Sequence, residues 1–265
     1  MPDLLVVIEN NIATLTLNRP KARNALSPEM RKLLKSSLQE LALDENVRCL
    51  VIKGAGDHFM AGGDVKSMSP MLDKAPQEIR NDFQNRIYEG INSIMITMRK
   101  MPKPIIASVS GAAAGAGVSM ALACDLVIAD CDAFFTLAYC HIGTTPDGGA
   151  SFQLPRIIGE KKAMEMALLG DRFDAGKAQE LGMVNFVTAA GELDKETEKL
   201  AARLASGPTH VYGNTKQLLY RSLSNEFEAQ LQMEAETFAD CASRPDFKEG
   251  VTAFIEKRKA RFKGK

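Results

Sequence analysis

The sequence predicts an α/β core followed by a helical C-terminal region, and three observations lead to that expectation. Apolar runs of strand length alternate with stretches of helical periodicity through the first two hundred or so residues. Beyond them, periodic segments are helical. No long linker, internal repeat or low-complexity stretch breaks the 265 residues, of which 45% are hydrophobic and 25% charged, the balance of an ordinary globular protein.

The elements follow in order. Residues 4–8 and 12–17 are rich in β-formers and flank Glu9-Asn10-Asn11, which predicts a hairpin. Ser27-Pro28 reads as an N-cap with proline in the first helical position, and Leu33, Leu34, Leu38 and Leu41 then recur at helical spacing. Residues 48–53 form a short apolar strand that feeds a glycine-containing loop over 54–64. Over 73–100, Phe83, Ile87, Ile91, Ile94 and Met98 make one helical face that Pro102 and Pro104 end. Residues 105–109 read as a strand, 111–123 as a glycine- and alanine-rich helix start, and 126–129 as another strand. Helices are expected over 160–169, 174–181 and 191–206, with a strand at 183–187. Residues 210–262 read as two helices broken near Ser243-Arg244-Pro245. The expected division is a core over 1–199 and a helical oligomerisation region over 200–265.

Composition excludes several classes. Lys+Arg and Asp+Glu both number 33, so no global field attracts nucleic acid. The last nine residues are the one strongly basic run and on charge alone read as a solvated tail. Cys49, Cys124, Cys131, Cys140 and Cys241 are odd in number without CxxC spacing, which suits buried free thiols in a reducing cytosol. No apolar run reaches the ~20 residues that span a bilayer, and Met1-Pro2-Asp3 opens no secretory signal, so a cytoplasmic protein outside the membrane is expected. His58 and His210 have no carboxylate or cysteine at ligand spacing, and no metal is expected.

Two glycine-rich segments carry possible chemistry. Gly62-Gly63-Asp64 follows a strand and its loop, where adjacent glycines expose peptide N–H groups to a ligand. Gly111-Ala112-Ala113-Ala114-Gly115-Ala116-Gly117 opens a helix, whose unpaired N–H groups and dipole favour negative charge. Taken singly, the first is an ordinary turn and the second a close-packed helix start. Its glycine spacing is not that of a dinucleotide fingerprint.

Together with Asn18-Arg19-Pro20-Lys21-Ala22-Arg23-Asn24-Ala25-Leu26, Phe59-Met60-Ala61-Gly62-Gly63-Asp64, Pro102-Lys103-Pro104-Ile105-Ile106-Ala107, Ala123-Cys124-Asp125-Leu126 and Phe254-Ile255-Glu256-Lys257-Arg258, these segments resemble the crotonase superfamily, the enoyl-CoA hydratase/isomerase family, over nearly the whole chain. The resemblance implies a spiral of ββα turns, a C-terminal helical trimerisation region, and trimers or hexamers built as dimers of trimers. It implies an acyl-CoA thioester as substrate and no cofactor beyond that CoA. Gly63 and Ala116 fall where the family's oxyanion-hole N–H groups lie, donors that contribute about 2.7–4 kcal/mol each when aimed at developing charge. Lys21, Ala22, Ala61 and Lys66 fall at CoA-contacting positions, with Phe254 and Lys257 reaching across from a neighbouring subunit. Met68, Met71, Leu72, Phe83, Ile87 and Ile91 are candidate liners of the acyl pocket, although a methionine stripe equally suits a core.

A hydratase of this family carries two glutamates, and this sequence has Ser119 and Tyr139 at those positions. A phenol with a pKa of about 10 is a poor base near neutrality. Asp147 in Thr145-Pro146-Asp147-Gly148-Gly149 matches the aspartate of isomerase members with a Pro-Asp-Gly-Gly motif. Those four residues are also an ideal β-turn. One carboxylate suits double-bond migration, since a single group takes a proton from one carbon and returns it to another. His141 is a further candidate for proton transfer or the pocket wall. The expectation is therefore an enoyl-CoA isomerase. The alternatives are a hydratase with atypical acid/base groups acting on an unusual enoyl-CoA, or a non-catalytic CoA-binding subunit.

Overall fold

The computed structural model describes residues 1–265. β1 (Leu4–Glu9) and β2 (Ile12–Leu17) form the expected antiparallel hairpin. Asn10 and Asn11 turn it with φ of 51° and 63°, the left-handed pair that a two-residue hairpin needs. α1 (Pro28–Leu43) and β3 (Cys49–Gly54) follow, then α2 (Pro76–Arg86) and α3 (Ser93–Lys100). Next come β4 (Ile105–Val109), β5 (Ala112–Ala114), α4 (Ala116–Ala123), β6 (Leu126–Asp130) and β7 (Phe134–Thr136). α5 (Ala150–Leu169), β8 (Phe173–Asp174), α6 (Ala175–Glu180), β9 (Phe186–Thr188) and α7 (Leu193–Ala205) complete the core. α8 (Thr209–Ser222), α9 (Phe227–Ala242) and α10 (Pro245–Ile255) end the chain's regular structure.

Two walls of strands run side by side. One is a six-stranded sheet in the order β1-β2-β3-β4-β6-β9, parallel except for β1. The other is β5-β7-β8, extended by single bridges that join Met60 to Ala113 and Leu26 to Gly63. Successive turns of the chain thus lay one extended segment on each wall, which makes the core a stacked β spiral. β4 is buried throughout and β3 almost so, which is why both read as continuous apolar runs rather than alternating ones. Their side chains still divide by face: Leu50, Ile52, Ile105 and Ala107 enter the main core, while Cys49, Val51 and Ile106 pack under α7 with Ala201 and Ala205.

Several sequence expectations shift. The expected division at 199/200 falls inside α7, which packs on the large sheet and belongs to the core; the helical region begins after it. Residues 112–114 are a strand, not a helix start, because Met60 and β7 claim their backbone groups on either side, and that pairing overrides the helical preference of alanine. The strand expected at 183–187 begins later, since the Met183 and Val184 N–H groups still close the end of α6 onto Ala178 O. α5 starts ten residues before the expected helix and bends at Gly159, with φ 77°. Residues 210–262 hold three helices, not two.

The C-terminal helices are tied to the core at Asp125. Its carboxylate accepts Lys216 Nζ, Tyr220 Oη and the Ile105 N–H, each at 2.7 Å. The basic tail is not simply solvated. The Phe262 carbonyl accepts from Arg48, Asp246 accepts the Lys263 and Gly264 N–H groups at 2.7 Å each, and Arg258 pairs with Glu249. Cys49 and Cys124 are buried thiols, but Cys131 and Cys140 are exposed and Cys241 is half-buried, so the expectation of burial holds for two of the five. No helix is long and apolar enough to cross a membrane.

Candidate active site

The loop after β2 is built around Asn24, which is fully buried with φ 56°. Its side chain accepts the Arg19 N–H at 2.9 Å and donates to the Ala55 and His58 carbonyls at 3.0 and 2.6 Å. Arg19 completes the loop with an ion pair to Asp64 at 2.9 Å. The 18–26 segment is thereby fixed against the 55–64 loop. Ala61 N–H bonds Arg23 O at 2.9 Å, which ties half-buried Ala61 to the segment that carries exposed Lys21 and Ala22.

The two glycine segments then meet. Around them the backbone is paired: Leu26 N–H to Gly62 O, Asp64 N–H to Leu26 O, Ala114 N–H to Met60 O and Gly115 N–H to Thr136 O. Gly63 N–H and Ala116 N–H have no acceptor in the protein, and the same holds for the adjacent Gly62 and Gly117 N–H groups. Ala116 is the first residue of α4, a position whose N–H has no partner within its helix. Gly62, at φ 94°, and Gly115, at φ 53° and ψ −119°, hold backbone shapes that side chains resist. A Cβ on Gly62 would stand 3.6 Å from Ala116 N, and one on Gly115 would stand 3.7 Å from Gly62 Cα. The Gly62-Gly63 and Gly115-Ala116 segments, far apart in sequence, thus meet backbone to backbone.

Asp147 stands in a turn seated on α4. Ser119 Oγ donates to Asp147 O at 2.9 Å, and Tyr139 Oη donates to Asp147 Oδ1 at 2.6 Å. The seat is tight: a Cβ on Gly148 would lie 2.9 Å from Ser119 Cβ. Burial pushes the Asp147 carboxyl above its usual range, while the Tyr139 bond and the positive Arg31 pull it back. Burial and the adjacent carboxylate push the Tyr139 phenol far up, so it stays a donor. The arrangement provides one half-buried carboxylate, a phenol that donates to it, and a hydroxyl that fixes its turn through the Asp147 main-chain carbonyl.

Met68 lies against Gly63, its Cε 3.3 Å from where a Gly63 Cβ would be, and Ile91 reaches the Asp147 turn at Gly148. Lys66 and Leu72 are exposed. His141 is not brought to the cluster: its ring faces Gly170 at the end of α5, and Cys140 is its hydrogen-bond neighbour. Phe254 and Lys257 project from the last helix and the turn after it, both exposed on the single chain. His58 Nδ1 accepts the Ala112 N–H at 3.2 Å, a structural use. His210, without a partner at sequence spacing, gains Asp240 at 2.6 Å and Cys241 nearby, because α8 and α9 fold back on each other.

Sequence reasoning missed Arg31 and Arg86. Both are half-buried, and the space for Arg31 is left by Gly90, where an added Cβ would lie 3.1 Å from Arg31 Cδ. Gly90 sits in the π-turn Ile87–Asn92 between α2 and α3, a widened turn of the kind that recurs at functional sites. An arginine on an amphipathic helix reads as a surface residue, so periodicity held no signal for it.

A β spiral of two strand walls, with unpaired peptide N–H groups at Gly63 and Ala116 and a half-buried carboxylate seated on α4, is the framework of the candidate site. The sequence profile of the enoyl-CoA hydratase/isomerase family matches residues 7–265, and the chain belongs to that family. It is 36% identical over 265 residues to 1,2-epoxyphenylacetyl-CoA isomerase of Escherichia coli, covering 100% of both chains. Its identity to trans-2-decenoyl-[acyl-carrier-protein] isomerase of Streptococcus mutans is 34%, covering 99% of this chain and 98% of that one. The crystal structure of an enoyl-CoA hydratase from Polaromonas superposes with a TM-score of 0.91 at 34% identity, covering 98% of this chain and 99% of that one.

Proposed function

We propose that the protein is an enoyl-CoA double-bond isomerase in which Asp147 carries the proton. The observation behind this is the Asp147 carboxylate seated on α4, the helix that opens with the unpaired Ala116 N–H, with Ser119 and Tyr139 where a hydratase of the family has its two glutamates. The thioester oxygen accepts from the Gly63 and Ala116 N–H groups. Ionised Asp147 then removes a proton from the carbon next to the thioester, the electron pair moves onto the oxygen, and the two donors hold that charge. Protonated Asp147 returns the proton at the far end of the resulting dienolate, which leaves the double bond shifted by one carbon and the atoms unchanged. Tyr139 keeps the carboxylate oriented, and Ser119 fixes the turn that carries it.

Lys21, Ala22, Ala61 and Lys66 line the rim for CoA, and Phe254 and Lys257 complete that rim from a neighbouring subunit in a trimer or a dimer of trimers. Exposed Leu219, Leu223, Phe227, Phe238, Phe247 and Phe254 on the last helices supply the apolar surface such an assembly buries. Incubation with 3-enoyl-CoA and 2-enoyl-CoA in deuterated water, with products identified by mass spectrometry, tests the reading. Isomerisation yields the shifted alkene with solvent deuterium and no gain of water. A 3-hydroxyacyl product would mean a hydratase, and no turnover of either would mean a CoA-binding subunit.

A further inference from the structure

We propose that Arg31 and Arg86 form a carboxylate-binding site at the far end of the acyl pocket, and that the preferred substrate carries a second carboxylate on its acyl chain. The two guanidiniums lie in the same half-buried space, yet neither forms an ion pair with any carboxylate of the chain. Arg86 donates one bond to Ser67 Oγ at 2.6 Å and touches Met71 Sδ at 3.5 Å, while its Nε is buried with no partner. Arg31 makes no side-chain hydrogen bond; burial and then the charge of Arg86 disfavour its own charge, against a favourable pull from Asp147. Unpaired charge away from water is costly, and buried polar atoms are ordinarily satisfied. Two guanidiniums with no carboxylate in direct contact, and only Asp147 near enough to act on Arg31, are what an anionic ligand would complete, and guanidiniums match a carboxylate's two oxygens.

The position argues for the acyl end rather than the CoA end. Arg86 is bonded to the Ser67 turn, whose next residue, Met68, abuts Gly63. The π-turn that makes room for Arg31 at Gly90 touches the Asp147 turn through Ile91 and Gly148. The pair is thereby placed on the side of the site formed by the Ser67 and Gly90 segments, next to the Asp147 turn, whereas Lys21 and Ala22 are exposed. Asp147 is the nearest acid to influence Arg31, and it is already engaged by Tyr139.

This inference rests on the acyl-CoA reading above, and unreactive thioesters separate the two. Calorimetry would compare glutaryl-, adipoyl- and suberyl-CoA with pentanoyl-, hexanoyl- and octanoyl-CoA on the intact protein. At one chain length at least, the dicarboxylic thioester should bind tenfold tighter or more, the order of one charge-assisted bond. Arg31→Met and Arg86→Met should each bring that ratio toward one, and Arg86→Lys should retain part of it. Circular dichroism of each variant verifies its fold. A ratio near one at every length overturns the site while leaving the acyl-CoA reading intact; no binding of any thioester overturns both. Loss of affinity for both thioesters alike, or a variant effect confined to the pH profile, would mean that the arginines only shape the pocket or tune Asp147, and would also overturn the site.

Discussion

Tyr139 and Asp147 share a hydrogen bond of 2.6 Å, with the phenol as donor, and this bond lowers the proton affinity of the proposed base. Burial raises the carboxyl above the usual aspartate value of 3.8, and the phenol's bond opposes that rise. Activity needs the ionised form, so kcat/KM should climb with pH through an acid limb lying above 3.8. Tyr139→Phe removes an interaction that favours ionisation, and should move that limb to higher pH. A limb that moves down in the phenylalanine variant would mean that the bond favours the neutral acid instead.

Asp147→Asn keeps the shape of the turn and removes the base. Turnover of the preferred enoyl-CoA should fall by about 10²–10⁴-fold, the usual worth of a positioned acid/base group, while calorimetry still detects acyl-CoA binding. The same variant tests linkage. Because the folded pKa of Asp147 is raised, the folded state holds its proton over a pH range in which the unfolded chain has lost it, and stability falls as pH rises through that range. The asparagine variant should lack that decline in urea titrations at increasing pH.

Ala116 offers a way to delete one N–H, with the proline ring carbon taking the place of that hydrogen. It is the first residue of α4, where proline is well tolerated and no helical hydrogen bond is lost. Ala116→Pro should leave far-ultraviolet circular dichroism close to the parent and lower kcat by at least about 10²–10³-fold, the cost of one missing oxyanion donor. Parental kcat in a folded proline variant would remove this N–H from the mechanism.

How much of this was legible in the sequence depended on how local the cause was. The β1–β2 hairpin follows from two asparagines that tolerate the left-handed turn, and the start of α1 follows from Ser27, whose hydroxyl does accept the Met30 N–H at 2.9 Å. β3 and β4 were legible because burial on both faces makes them continuously apolar. Residues 112–114 were not, because only Met60 and β7, distant in sequence, make three alanines extended. The segments holding Gly63, Ala116 and Asp147 were legible as motifs, but which of their N–H groups the packed backbone leaves without an acceptor was not. Arg31 and Arg86 were hidden for the same reason: their lack of a counter-ion is a property of the packed helices.

Lys216 and Asp125 form the most deeply placed ion pair between the C-terminal helices and the spiral, with side chains only 9% and 14% exposed and 2.7 Å between charges. Burial alone pushes Asp125 up, and Lys216 is the first of the groups that hold it ionised. Lys216→Met takes away that charge and leaves a buried carboxylate whose remaining partners, Tyr220 and the Ile105 N–H, are neutral. The loss should be about 3–5 kcal/mol in urea unfolding at neutral pH and fixed subunit concentration. Adding Asp125→Asn should recover part of that loss, because the stranded charge is then gone while the amide oxygen still accepts the neighbouring hydrogens. If Lys216→Met alone unfolds at the parental midpoint, the pair contributes nothing to docking α8, and the apolar contacts of that helix hold it without help.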